Sequence, residues 1–201
     1  MWIFENCLFQ LKFKMNNINK YSVIDLFCGV GGLTHGFVQE KFNVLAGIDF
    51  DKSCEYAYEK NNNTKFIHAD LTTMHSSAVE VLYPRRKHRI LVGCAPCQAF
   101  SPYSKNKKTN DKWKLLYTFS RLIKDIEPEI ISMENVPNLL SYNKGSVFTD
   151  FIKVLNEKKY NVSYSIVNAQ EYGVPQRRKR LILFASELGQ IKILEPTHKR
   201  K

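Results

Sequence analysis

Apolar residues fall in short runs separated by polar and turn-forming stretches, and seven runs have the length and composition of β-strands. They are residues 22–27, 43–48, 65–68, 89–93, 129–133, 162–168 and 180–185. Stretches of helical character lie between the first five, including 32–41, 52–61 and 113–126. Strands and helices that alternate this way form repeated βαβ units and build a parallel sheet covered on both faces. Residues 148–159 predict one more helix. Only the turn-rich segment 168–178 separates the sixth strand from the seventh, too short for a helical crossover, so the last pair predicts an antiparallel hairpin. No internal repeat and no Ser/Gly/Pro-rich linker interrupts the pattern.

A chain of 201 residues fits one domain. With 44% hydrophobic and 24% charged residues it has ordinary globular composition, which excludes a disordered polymer or a coiled coil. No apolar run reaches the roughly 18–20 residues that span a bilayer, and the opening 1–13 is broken by Glu5, Asn6, Gln10 and Lys12. Neither a membrane span nor a secretory signal is expected. Thirty Lys and Arg against 19 Asp and Glu leave a net charge of +11, a field suited to a polyanion such as nucleic acid. A general Lys and Asn bias produces the same sum. Five cysteines, an odd number without framework spacing, point to a reducing compartment and a cytoplasmic protein.

The first strand runs into Cys28-Gly29-Val30-Gly31-Gly32, where glycines let the backbone approach a ligand over a helix N-terminus. The nicotinamide fingerprint places its third glycine at position 34, where Thr34 stands, and a P-loop requires Gly-Lys-Ser/Thr, so both are disfavoured. Asp49 ends the second strand and can accept from ribose hydroxyls. Phe50 follows it, able to lie on an adenine face, and Asp70 ends the third strand, placed for an adenine amino group. One carboxylate per strand end around a glycine turn describes an adenosyl ligand without a pyrophosphate. The competing reading has Asp49, Asp51 and Asp70 only capping helices.

After the fourth strand, Cys94-x-x-Cys97 has the spacing of a redox pair or of half a zinc site. Cys7, Cys28 and Cys54 form no second pair, and His35, His68, His75, His88 and His198 lack ligand spacing, so no metal is expected. The fifth strand leads into Met133-Glu134-Asn135-Val136-Pro137. A carboxylate there, beside a cysteine at the neighbouring strand's end, occupies the crevice where open α/β sheets bind substrates. The basic run Gln176-Arg177-Arg178-Lys179-Arg180 is ordinarily a solvated turn, but Arg178 and Arg180 are two apart and can share one face of a strand.

Together, Asp25-Leu26-Phe27-Cys28-Gly29-Val30-Gly31-Gly32, Pro96-Cys97-Gln98, Glu134-Asn135-Val136 and Gln176-Arg177-Arg178-Lys179-Arg180 resemble the DNA (cytosine-5)-methyltransferase family, in its order and approximate spacing, from about residue 21 to 185. The resemblance implies a Rossmann-like S-adenosylmethionine-dependent methyltransferase fold with a mostly parallel seven-stranded sheet and an antiparallel last strand. It implies S-adenosylmethionine held by Phe27, Gly29, Gly31, Asp49, Phe50, Asp70, Leu71 and Pro96, with duplex DNA as substrate. Cys97 is then the nucleophile, Glu134 holds cytosine N3 and its exocyclic amine, and Arg180 with Arg178 binds the O2 side.

Two departures stand out. Cys94-Ala95-Pro96 replaces the family's frequent Gly-Pro-Pro, which keeps the proline beside Cys97. After the seventh strand a family member continues into a target-recognition domain and a last helix, for which 186–201 is too short. The expected organisation is therefore an N-terminal extension (1–20), a catalytic domain (21–186) and a basic tail (187–201), either of whose flanks can be disordered. A split enzyme whose partner polypeptide carries the recognition domain, a truncated remnant and a piece of a longer chain fit the motifs equally, and an RNA cytosine methyltransferase of the same fold fits them too, whereas a non-catalytic binder has no need of Cys97 and Glu134 together. A restriction-modification role and a nucleoid association when bound to DNA follow from the same resemblance.

Overall fold

The computed structural model describes residues 17–96 and 113–198. Among the described residues, seven strands form one sheet: β1 (Tyr21–Leu26), β2 (Asn43–Asp49), β3 (Lys65–His68), β4 (His88–Gly93), β5 (Ile130–Asn135), β6 (Asn161–Asn168) and β7 (Lys179–Ser186). Their order is β3-β2-β1-β4-β5-β7-β6. β1 to β5 run parallel, and β7 is antiparallel to both of its neighbours. The expected hairpin of β6 and β7 is present, and β7 is the strand that slots between β5 and β6.

The chain steps outward from β1 to β3 and then returns to the other side of β1 with β4. That reversal opens a crevice at the carboxyl ends of β1 and β4, where open α/β sheets take their ligands. Five α-helices accompany the strands among the described residues: α1 (Gly32–Gln39), α2 (Glu55–Asn62), α3 (Ser76–Glu80), α4 (Lys114–Ile126) and α5 (Ser146–Glu157). Among these, none is long and apolar enough to cross a membrane.

Side-chain alternation along the strands sorts the core into two faces. Leu91 of β4, Ile131 and Met133 of β5, and Leu181 and Leu183 of β7 pack with α4 and α5. Ile90 and Val92, Ile130, and Ile182 and Phe184 face the other way, toward Leu33 and Phe37 of α1. The buried stripe of α4, Leu116, Phe119, Ser120 and Ile123, repeats at helical spacing, and Phe119 stacks on Phe151 of α5 at 5.9 Å. Every residue of β1 is buried, which makes Asp25 a carboxyl in an apolar strand.

Of the N-terminal extension only residues 17–20 are described. Ile18–Lys20 form a short 3-10 turn capped by Asn17, and Ile18 packs on the α1-side core. After β7, residues 187–198 lie along the sheet, and residues 199–201 lie outside the described residues. Ile191 is 3% exposed, Leu188 and Ile193 pack beside it, and the Tyr172 hydroxyl donates to the Leu194 carbonyl. Those three apolar residues cover sheet surface that would otherwise face water.

Candidate functional site

The glycine turn closes β1 with two left-handed residues. Phe27 has φ 57° and Gly29 φ 51°, while Gly31 (φ 87°) caps the N-terminus of α1. A methyl group at Gly31 would overlap Tyr58 and Asn62 of α2. At Gly29 it would meet nothing within 4 Å. The turn is thus packed from behind by α2 and open in front. Tyr58 sets its back wall: its hydroxyl lies 2.9 Å from the Thr34 hydroxyl, which donates to Asp25 Oδ2 at 2.7 Å. Thr34, whose side chain excluded the nicotinamide fingerprint, therefore tethers α1 to β1.

Asp25 Oδ1 is buried and, among the described residues, has no hydrogen-bond partner. Burial raises the Asp25 pKa to about 7, opposed by its bond to Thr34 and reinforced by the nearby Asp49 charge. The neighbouring Cys28 thiol is pushed well above its ordinary range, first by burial and then by Asp25 and Asp49, so it stays protonated.

Asp49 accepts two backbone N–H groups at the end of β2. Its Oδ2 accepts from the Gly29 backbone N–H and its Oδ1 from that of Asp51, both at 2.8 Å, so it fastens the glycine turn to the end of β2. Each carboxylate oxygen keeps a further lone pair for a ligand. Phe50 projects into solvent at 71% exposure, and its ring lies 6.3 Å from that of His68. Asp70 Oδ1 accepts from the backbone and hydroxyl of Thr72, and Asp51 caps the turn Lys52–Cys54. Leu71 is buried in the main core, and its carbonyl accepts from Arg121.

At the other side of the crevice, Glu134 is buried on the α1 side of β5. The register pairs Glu134 with Ile182 and Asn135 with Leu181. Arg180, two residues from Ile182, is therefore the diagonal neighbour of Glu134 on the same face. Its Nε lies 2.7 Å from Glu134 Oε1, and an Arg178 amine lies 3.7 Å from the same oxygen. Arg177 and Lys179 alternate with them and are exposed. Directly after β4, Cys94 continues the face of Ile90 and Val92, and its thiol donates to Glu134 Oε2 at 2.8 Å. The Asn135 side chain donates to the Ala95 carbonyl at 3.1 Å and accepts from the Val136 N–H, tying the end of β5 to the segment that leads to Pro96.

Cys97 lies outside the described residues. Pro96, half-buried, ends the described segment that precedes it. Among the described residues, no three His, Cys, Asp or Glu are grouped to hold a metal, and Cys28, Cys54 and Cys94 are thiols outside any disulfide. From the sequence, Cys94 reads only as part of a redox pair or half a zinc site, and Asn135, Thr34 and Tyr58 are given no role in the site. The period-2 alternation of β4 was the available signal for Cys94, because it puts residues 90, 92 and 94 on one face.

Comparison with known proteins covers most of this architecture. The chain is 57% identical over 177 residues to the type II methylase M.HgiDII of Herpetosiphon aurantiacus, covering 88% of this chain and 50% of that protein. It is 37% identical over 171 residues to the type II methyltransferase M.SsoII of Shigella sonnei, covering 84% and 43%. The chain spans about half the length of the curated relatives it matches. In fold it is similar to the S. pombe Dnmt2 methyltransferase (TM-score 0.68, 18% identity, 86% of this chain and 51% of that one). It is likewise similar to the Entamoeba histolytica methyltransferase EhMeth (TM-score 0.70, 21% identity, 90% and 57%). The profile of the C-5 cytosine-specific DNA methylases matches residues 21–201, from the first residue of β1 through the Glu134 and Arg180 strands. With that match and its 57% identical relative, the chain belongs to the C-5 cytosine-specific DNA methylase family.

Proposed function

We propose that the chain carries the cofactor-binding and catalytic parts of an enzyme that transfers a methyl group from S-adenosylmethionine to carbon 5 of cytosine in DNA. The observation that carries this reading is the buried Glu134 carboxyl, held by Arg180 and facing the crevice that the glycine turn borders. The residues present fit the cofactor. Open space in front of Gly29, the exposed Phe50 ring and the strand-end carboxylates Asp49 and Asp70 suit an uncharged base and a ribose. When bound, S-adenosylmethionine supplies an electrophilic methyl group.

Cytosine carbon 5 is too electron-poor to take that methyl directly. The Cys97 thiolate adds to carbon 6, which makes carbon 5 enamine-like and nucleophilic. Negative charge then develops toward N3, where Glu134 delivers a proton, and Arg180 with Arg178 stabilises the O2 side. After methyl transfer a water molecule takes the carbon 5 proton, the freed electron pair re-forms the carbon 5–carbon 6 double bond as the sulfur–carbon 6 bond breaks and releases the Cys97 thiolate, and N3 returns its proton to Glu134. The ring must stand outside the duplex to reach these groups. Exposed Arg177 and Lys179, beside the inward-facing Arg178 and Arg180, suit the phosphates that flank such a flipped base.

The test is methyl transfer from labelled S-adenosylmethionine to a duplex whose target cytosine faces an abasic site, which removes the pairing cost of flipping. The expected product is 5-methylcytosine from the parent and none from Cys97→Ser. Label on another atom, or undiminished transfer by Cys97→Ser, would overturn the reading.

A further inference from the structure

Glu134 is gripped at both oxygens. Oε1 faces the guanidinium groups of Arg180 and Arg178, and Oε2 accepts from the Cys94 thiol. A buried carboxylate oxygen needs a donor. The end of β4 supplies one of the weakest available to a side chain, since S–H donates far less strongly than O–H or N–H. We propose that Cys94 is a positioning residue of the base pocket. Its thiol satisfies Glu134 Oε2 while the pocket is empty and yields that oxygen to the exocyclic amino group of an entering cytosine.

The inference rests on the reading of Glu134 as the group that meets the base. Geometry supports the exchange. Cys94 and Glu134 lie at the carboxyl ends of adjacent parallel strands and on the same sheet face, at the edge of the crevice. Arg180 anchors the other oxygen, so the carboxyl plane stays fixed while Oε2 changes partners. A stronger donor at position 94 would compete with the base, whereas an absent donor would not. Serine and alanine should therefore act in opposite directions. A thiol that merely fills space would predict the same loss from both.

The experiment measures equilibrium binding, by fluorescence anisotropy, of two duplexes to the 201-residue chain. One carries a cytosine opposite an abasic site and the other an abasic site on both strands. Their affinity ratio isolates the contribution of the base. The parent should prefer the cytosine duplex. Cys94→Ser should shrink that preference about fivefold, the scale on which a stronger hydrogen bond to a charged group outlasts a weak one. Cys94→Ala should keep or enlarge it. An unchanged ratio in Cys94→Ser, or an equal loss in both variants, would overturn the proposal while the reading of Glu134 survived. A parent with no preference for cytosine would overturn that reading and this inference with it. Circular dichroism melts of both variants show whether either binding loss comes from unfolding.

Discussion

Replacing Asp25 by asparagine removes an ionisable group that the fold keeps away from water while preserving its shape. Oδ2 keeps its acceptor role toward Thr34, and the position of Oδ1 has no partner in either version among the described residues. The carboxyl rises from 3.8 to about 7 in the folded chain. At about 1.36 kcal/mol for each tenfold change, ionising Asp25 in the native state costs on the order of 4 kcal/mol more than in the unfolded state. The sign follows from which state ionises first. Below the unfolded value both states are protonated, and Asp25 costs nothing. Between that value and about 7 the unfolded chain loses its proton while the folded chain keeps it, so stability falls as pH rises. Above about 7 the full cost is present. The neutral amide of the Asp25→Asn variant carries no such dependence. Urea unfolding of parent and Asp25→Asn at about pH 5 and pH 7 should show the parent losing about 2 kcal/mol relative to the variant over that interval. A difference that changes by less than about 1 kcal/mol would refute the assignment of Asp25 as the strained carboxyl.

Three further outcomes follow from the geometry. Gly31→Ala should lower stability by about 3 kcal/mol, since it combines a left-handed backbone with overlap on Tyr58 and Asn62, whereas Gly29→Ala should cost about 1 kcal/mol yet weaken S-adenosylmethionine binding more, because its methyl enters the open space; thermal melts and calorimetry separate the two. Asp49→Ala should weaken S-adenosylmethionine at least about tenfold, since it removes a ribose acceptor and frees the Gly29 N–H, and indistinguishable isotherms would exclude that role. Glu134→Gln should abolish methyl transfer and cost about 2 kcal/mol of stability by leaving Arg180 without its carboxylate, as read by labelled transfer and urea unfolding.

Strands and long helices were legible because their signals are local. Alternation and apolar runs located all seven strands to within a residue or two at each end. Helix α3 has five residues, with Val79 its one buried side chain, so it offers no period to detect. The glycine turn and the strand-end carboxylates were visible because chemistry concentrates where strands stop. The link of Glu134 to Arg180 was visible only as two separate motifs. Joining them required β7 to enter antiparallel between β5 and β6, and that pairing is non-local. Thr34 and Tyr58 escaped notice for the same reason: the bond between them spans 24 positions and exists only once α2 packs behind the turn. The packing of 187–198 on the sheet was not legible because Leu188, Ile191 and Ile193 follow neither a strand nor a helix period and their contacts are non-local.

In the proposed reaction a Cys97 thiolate attacks a cytosine held by Glu134 and Arg180. Its most direct test is a duplex carrying 5-fluorocytosine opposite an abasic site, incubated with the chain and S-adenosylmethionine and then digested for peptide mass spectrometry. Fluorine at carbon 5 cannot leave as the proton does, so the methylated ring stays bonded to its nucleophile. An adduct is expected on the peptide containing Cys97, retained in Cys94→Ser and absent in Cys97→Ser. An adduct on Cys94, or equal trapping by both variants, would contradict it.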